Sequence, residues 1–101
     1  MFDMKNLRRL RNLDKYTPEA TKTFGAFEQA AFAEGTLTVQ QKQLMAVAVA
    51  LTTQCPYCIE IHNQAARSVG ATDAQLAEAA MVAIVMRAGA AMTHASHLFT
   101  D

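Results

Sequence analysis

The stretch Leu44-Met45-Ala46-Val47-Ala48-Val49-Ala50-Leu51-Thr52-Thr53-Gln54-Cys55-Pro56-Tyr57-Cys58-Ile59-Glu60-Ile61-His62 decides both the fold class and the chemistry. Its first half is an Ala-rich apolar run, a strong helix former, and Thr38-x-x-Gln41 ahead of it fits the capping box that opens a helix. Proline is tolerated in a first helical turn, so the next helix begins near Cys55 or Pro56 and stops at Gly70. On such a helix Cys55 and Cys58 can close a disulfide over a single turn. His62, four residues past Cys58, falls on the same face as both sulfurs.

Helices also account for the rest of the chain. Met4 to Leu13 spaces Leu7, Leu10 and Leu13 three apart with Arg8, Arg9 and Arg11 between them, an amphipathic segment ahead of a turn at Asp14 to Thr17; residues 1–16 read as an N-terminal helix or arm. Thr17-Pro18-Glu19 starts a second helix, with Thr17 as N-cap and Pro18 at the first position, and Gly35 supplies its stop, so it runs from about Pro18 to Glu34. Thr72-x-x-Gln75 is a second capping box, opening a helix from Asp73 to about Ala88, with Gly89 marking a break or a close approach before a last helix to Leu98. The expected fold is all-α: one domain over residues 1–101, of about five or six helices, with a central helical hairpin.

Composition narrows the partners. The 101 residues hold nine basic and nine acidic side chains, so no general field draws the chain to nucleic acid or to anionic lipid. Met1 to Asp14 lacks the apolar core of a secretory signal, and the apolar run Ala79 to Met92 is interrupted by Arg87, which argues against a membrane span. The expected setting is the cytoplasm, with neither membrane nor nucleic acid as partner. The helices carrying Met45, Val47, Val49 and Leu51, and Met81, Val82, Ile84, Val85 and Met86, are apolar nearly all round. A chain this small has difficulty hiding both, which points to a homo-oligomer. The methionines serve as gap-filling side chains of core and interface.

Three chemistries fit the cysteine cluster. As a zinc site, Cys55, Cys58 and His62 supply three ligands where structural zinc takes four, so His94 or His97 would have to complete it. As inert core residues the cysteines would be small hydrophobes, which leaves their spacing and the nearby histidine unexplained. As a dithiol redox centre the parts cooperate. A sulfur near a helix start meets free N–H groups and the positive end of the macrodipole, and His62 adds a charge or takes the proton. We therefore expect no bound metal or cofactor.

The same residues resemble a known family. Lys42 to Gly70, with Leu44 to Ala50 leading into Cys55-Pro56-Tyr57-Cys58-x-x-x-His62 and on to Ala65-x-x-x-x-Gly70-Ala71, looks like the core of AhpD-like alkylhydroperoxidases of the carboxymuconolactone decarboxylase superfamily, over about Pro18 to Leu98. The resemblance implies an all-α homo-trimer or homo-hexamer that reduces small hydroperoxides. Cys58 would attack the O–O bond and become a sulfenic acid, Cys55 would resolve it as a redox-active disulfide, and an external dithiol, lipoyl or thioredoxin-like, would reduce that disulfide. Cys58 is the sulfur nearest His62 in sequence, yet a helix dipole alone could equally make Cys55 the nucleophile.

Two positions depart from the family pattern. The glutamate usual twelve residues before the first cysteine is Gln43 here, a possible relay position occupied by an amide that cannot take a proton, and the second histidine between the cysteines is replaced by Tyr57. His62 would carry the relay, and Glu60 points roughly 200° away from Cys58 around the helix. The expectation is a thiol peroxidase weaker than its fully equipped relatives. The alternatives are a general thiol-disulfide oxidoreductase, or a nonenzymatic redox-sensing or interaction module. Lactone decarboxylation, as in the namesake branch, gives paired thiols no task.

Overall fold

The computed structural model describes residues 2–101 and, among them, holds helices and no strand. Its contacts divide the chain into a unit ending at Val39 and a unit Gln40–Asp101. In the first unit a 3₁₀ segment, Met4–Leu10, is capped by Asp3, whose carboxylate accepts the Lys5 N–H at 2.9 Å. It passes directly into α1 (Arg11–Tyr16), which packs on α2 (Pro18–Phe32).

Three expectations change here. The first segment is helical, as the expected helix or arm allows, and mostly 3₁₀, but residues expected to turn, Asp14 to Tyr16, are still helical. Thr17 does stand at the N-cap of α2, but its hydroxyl donates back to the Leu13 carbonyl at 2.7 Å instead of capping. The second helix ends at Phe32, because Ala33 is already extended, two residues before Gly35.

The second unit contains all but the first residue of α3 (Val39–Thr53), together with α4 (Pro56–Ser68), α5 (Asp73–His94) and a 3₁₀ turn, Ala95–Leu98. Helices α3 and α4 form an antiparallel hairpin. The early α3 residues Gln40 and Gln43 bond to the late α4 side, at the Val69 carbonyl (3.0 Å) and at His62 (2.8 Å). Val47, Ala66, Ala71 and Leu76 are buried together, with Leu44 and Leu51 packed against them. No described residue of the first unit is buried.

The turn out of α4 is built on one glycine. Gly70, at φ 92°, donates to the Arg67 carbonyl, and Ala71 reaches back to the Ala66 carbonyl, each at 3.0 Å. This is a Schellman closure, with buried Ala66 and Ala71 as its apolar contact. The capping box at Thr72 then forms as the sequence indicates: Gln75 N–H donates to the Thr72 hydroxyl at 3.2 Å, and Thr72 N–H to the Gln75 amide oxygen at 2.9 Å.

Helix α5 runs unbroken through Gly89, contrary to the expected interruption. A side-chain carbon there would meet nothing within 4 Å, so close packing does not explain it either. One glycine costs a helix about 1 kcal/mol, too little to end one that its neighbours favour. By length and composition Asp73–Leu98 also passes for a membrane span, since a single Arg87 does not offset so many apolar residues. The core or interface helix of a helical bundle passes the same test, so this property alone assigns no role.

Glycine substitutions test the turn. Gly70→Ala should lower the free energy of unfolding by about 1 to 2 kcal/mol, the cost of a Cβ in left-handed backbone, with the Gln40 amide nitrogen only 3.3 Å from the new carbon. Gly25→Ala, in open space on α2, should raise it by about 0.5 to 1 kcal/mol. Urea unfolding of both variants measures the two signs, and a neutral Gly70→Ala would contradict this account of the turn.

Candidate functional site

The site forms where the hairpin turns. Gln54 lies between α3 and α4 with φ at 57°, left-handed backbone that a residue bearing a Cβ rarely adopts. Its carbonyl neighbour along the chain, Cys55, then takes extended backbone (φ −99°, ψ 102°) and becomes the N-cap of α4, with Pro56 in the first turn, where its missing N–H costs nothing. Cys55 N–H is itself satisfied by the Ala50 carbonyl at 3.2 Å. The chain's two cysteines are bonded to each other as a disulfide, their Cα atoms 5.3 Å apart.

The two sulfurs have different surroundings. Cys55 Sγ takes the place of an N-cap oxygen and accepts the Cys58 N–H at 3.3 Å. In the reduced protein a negative charge on Cys55 therefore sits at the positive end of α4, where N–H groups and the helix dipole favour it. Cys58 lies within the first turn, and its ring neighbour by helical phasing is His62. Both cysteines and His62 are half-buried.

His62 is held from the other helix. Its Nδ1 lies 2.8 Å from Gln43 Oε1 on α3. An amide oxygen only accepts, so Nδ1–H donates to it, and in the neutral form of the ring the lone pair is then on Nε2. Gln43, selected by its distance in sequence from the first cysteine, thus touches His62. As an amide it orients the ring and cannot exchange a proton with it.

The other candidates lie elsewhere. Glu60 is exposed and accepts from Gln64 Nε2 at 3.0 Å, a contact along the solvated face of α4. His94 bonds the Ala90 carbonyl at 2.9 Å at the end of α5, its ring 5.8 Å from that of His97, so both histidines serve that helix end. Tyr57 is half-buried in the first turn of α4.

Gln40 was not singled out by the sequence reading. Its Nε2 donates to the Val69 carbonyl at 3.0 Å and its Oε1 accepts from Gln75 Nε2 at 3.1 Å, tying α3 to the end of α4 and to the start of α5. The only available signal was its spacing, one turn before Gln43 on the same helix face.

Residues 18–101 match the carboxymuconolactone decarboxylase family. The chain belongs to that family. An uncharacterised protein of the cox locus of Paracoccus denitrificans is 55% identical over 73 residues, which cover 72% of this chain and 66%, just under two thirds, of that protein. A second uncharacterised relative, from Cupriavidus necator, is 34% identical over 84 residues, covering 83% of this chain and 74% of its own length. Among solved structures, a protein from Methanobacterium thermoautotrophicum superposes with a TM-score of 0.81 at 40% identity, covering 85% of this chain and 97% of that one. A carboxymuconolactone decarboxylase family protein from Legionella pneumophila gives a TM-score of 0.77 at 33% identity, covering 89% and 80%. The family-model match begins at Pro18, so the 3₁₀ segment and α1 precede the residues that it matches.

Proposed function

We propose that this member of the carboxymuconolactone decarboxylase family is a thiol-dependent peroxidase that reduces small hydroperoxides through the Cys55–Cys58 pair. The observation that carries the reading is the bonded cysteine pair at the start of α4, with His62 one turn on and its ring fixed by Gln43. His62 Nε2 takes the Cys58 thiol proton. The Cys58 thiolate attacks the distal peroxide oxygen, the O–O bond breaks, and the departing alkoxide leaves as the alcohol with the proton His62 returns. Cys55 then attacks the sulfenic sulfur of Cys58, expelling water and closing the disulfide. An external dithiol, lipoyl or thioredoxin-like, reduces the disulfide and is itself oxidised.

The amide at Gln43 favours one second reading, a thiol-disulfide oxidoreductase with little peroxidase activity, because the acid of a full relay is absent. Peroxide consumption with a dithiol reductant separates the two. It also separates both from a nonenzymatic redox-sensing module, which would oxidise once without turnover.

Treating Cys55→Ser and Cys58→Ser proteins with peroxide and trapping sulfenic acid tests the order of attack. We expect the sulfenate on Cys58 in the Cys55→Ser protein and little on Cys55 in the other. The reverse pattern would hand the attack to Cys55, whose N-cap position is the physical argument for it.

Replacing the amide by an acid tests the relay. Gln43→Glu should raise the rate of peroxide-dependent oxidation at least about tenfold, a fraction of the 10² to 10⁴ that a well-placed general acid–base group contributes, and should shift its pH profile. Stopped-flow oxidation reads both, and identical rates and profiles in two well-folded proteins would place residue 43 outside proton transfer.

The working unit in this proposal is a homo-oligomer, a trimer or a hexamer. On α5, Val82, Val85 and Met86 are 59%, 60% and 65% exposed in the single chain and fall on one side of the helix, with Ile84, 55% exposed, about 160° around it from Val82; isolated monomers seldom show so much apolar surface to water. Light scattering should give a multiple of 11.0 kDa, and that single mass across micromolar concentrations would refute it.

A further inference from the structure

The zero net charge conceals a segregation. Residues 1–16 hold five basic side chains, Lys5, Arg8, Arg9, Arg11 and Lys15, against two acidic ones, which leaves four basic against seven acidic in residues 17–101. The basic segment lies ahead of residues 18–101, the stretch that the family model matches.

Its backbone sorts the side chains into rows. In a 3₁₀ helix residues three apart eclipse, so Met4, Leu7 and Leu10 form one row, Lys5 and Arg8 a second, and Asn6 and Arg9 a third. Leu13 and Arg11 carry the pattern into α1. Leu10 and Leu13 are 54% and 52% exposed. Arg8, Arg9 and Arg11 are exposed as well, and no ion pair ties them to a carboxylate among the described residues. With Lys5 they line an open depression of about 390 Å³. The acid beside them, Asp3, uses its carboxylate to cap the same segment.

Unpaired cations around a depression are suited to phosphate oxygens, and an apolar row between cationic rows is the pattern of a segment lying in a membrane interface. We infer that residues 2–16 dock the protein on a bilayer surface rich in anionic phospholipid, with Arg8, Arg9 and Arg11 on headgroup phosphates and Leu10 and Leu13 at the acyl boundary. A nucleic acid would use the cations but give the exposed leucines no partner. This attachment is peripheral and does not depend on the peroxidase reading.

Co-sedimentation of the full chain with vesicles tests it. Vesicles of phosphatidylcholine with about 30% phosphatidylglycerol should bind the protein and phosphatidylcholine alone should not, and binding should weaken as salt rises from about 0.1 to 0.5 M. Arg8→Gln/Arg9→Gln/Arg11→Gln should lose about 100-fold in partitioning, roughly fivefold per basic residue near an anionic surface. Leu10→Ser/Leu13→Ser should lose at least about tenfold, with the cations intact. Circular dichroism and thermal melts establish that both variants fold. Equal sedimentation with both vesicle types, no sedimentation with either, or an unchanged arginine variant would overturn the proposal. So would tighter binding to duplex DNA than to the anionic vesicles in the same buffer.

Discussion

Two glutamines one helical turn apart on α3 fix the hairpin on which the rest of the second unit depends. Gln40 reaches the Val69 carbonyl beyond the end of α4, and Gln43 reaches His62 in its middle. The apolar core cannot set this register by itself. Of its buried side chains only Val47 and Leu76 exceed alanine in size, and Ala50, Ala66, Ala71 and Ala83 let helices approach closely without marking where they must stop. Hydrogen bonds are directional and short, so they supply the axial position that small side chains leave open. Gln40 extends the constraint to α5 through Gln75, which is also half of the Thr72 capping box.

The hairpin's fixed register makes the strained turn tolerable. Gln54 in left-handed backbone costs on the order of 1 to 2 kcal/mol, and it persists because the helices on both sides are held. What the strain achieves is the placement of Cys55 at the N-cap of α4 instead of inside the helix. The consequence is chemical asymmetry within a motif that looks symmetric in sequence. Cys55 receives a backbone N–H from the start of the helix, whereas Cys58 is paired by helical phase with His62. When the disulfide opens, the sulfur whose charge is better accommodated is the better leaving group, which is Cys55, while the sulfur beside a proton carrier is better placed to lose a proton during turnover.

Much of this was legible in the sequence, for identifiable reasons. The Thr72-x-x-Gln75 box is a local code, decided by four residues, and it forms as written. The cluster Cys55, Cys58 and His62 is local too, because one helix carries all three. Gln43 was found only by its fixed distance from the first cysteine. Gly89 misled because a glycine's small helix penalty is easily outweighed by Ala and Met neighbours, whereas the first segment read only as a helix or arm because 3₁₀ and α geometries share a three-residue apolar spacing over so short a run. Gln40 was invisible because its partners are 29 and 35 residues away, and no local pattern announces which amide will meet which carbonyl.

The amide at position 43 bears on rate and not on stoichiometry. In the proposed peroxide step one proton would leave the Cys58 thiol and one would join the departing alkoxide, so a single imidazole could take and return the same proton with no acid behind it. Disulfide closure by Cys55 releases water and needs no net proton either. In the peroxide step the ring would require position and tautomer from its neighbour, and Gln43 can supply both by accepting from Nδ1, which leaves Nε2 of the neutral ring to act as the proposed base. A carboxylate would add stabilisation of the charged ring during the interval in which it holds the proton. On the proposed mechanism, the neighbour of His62, more than the presence of the cysteine pair, would separate a competent peroxidase from a dithiol that merely exchanges disulfides.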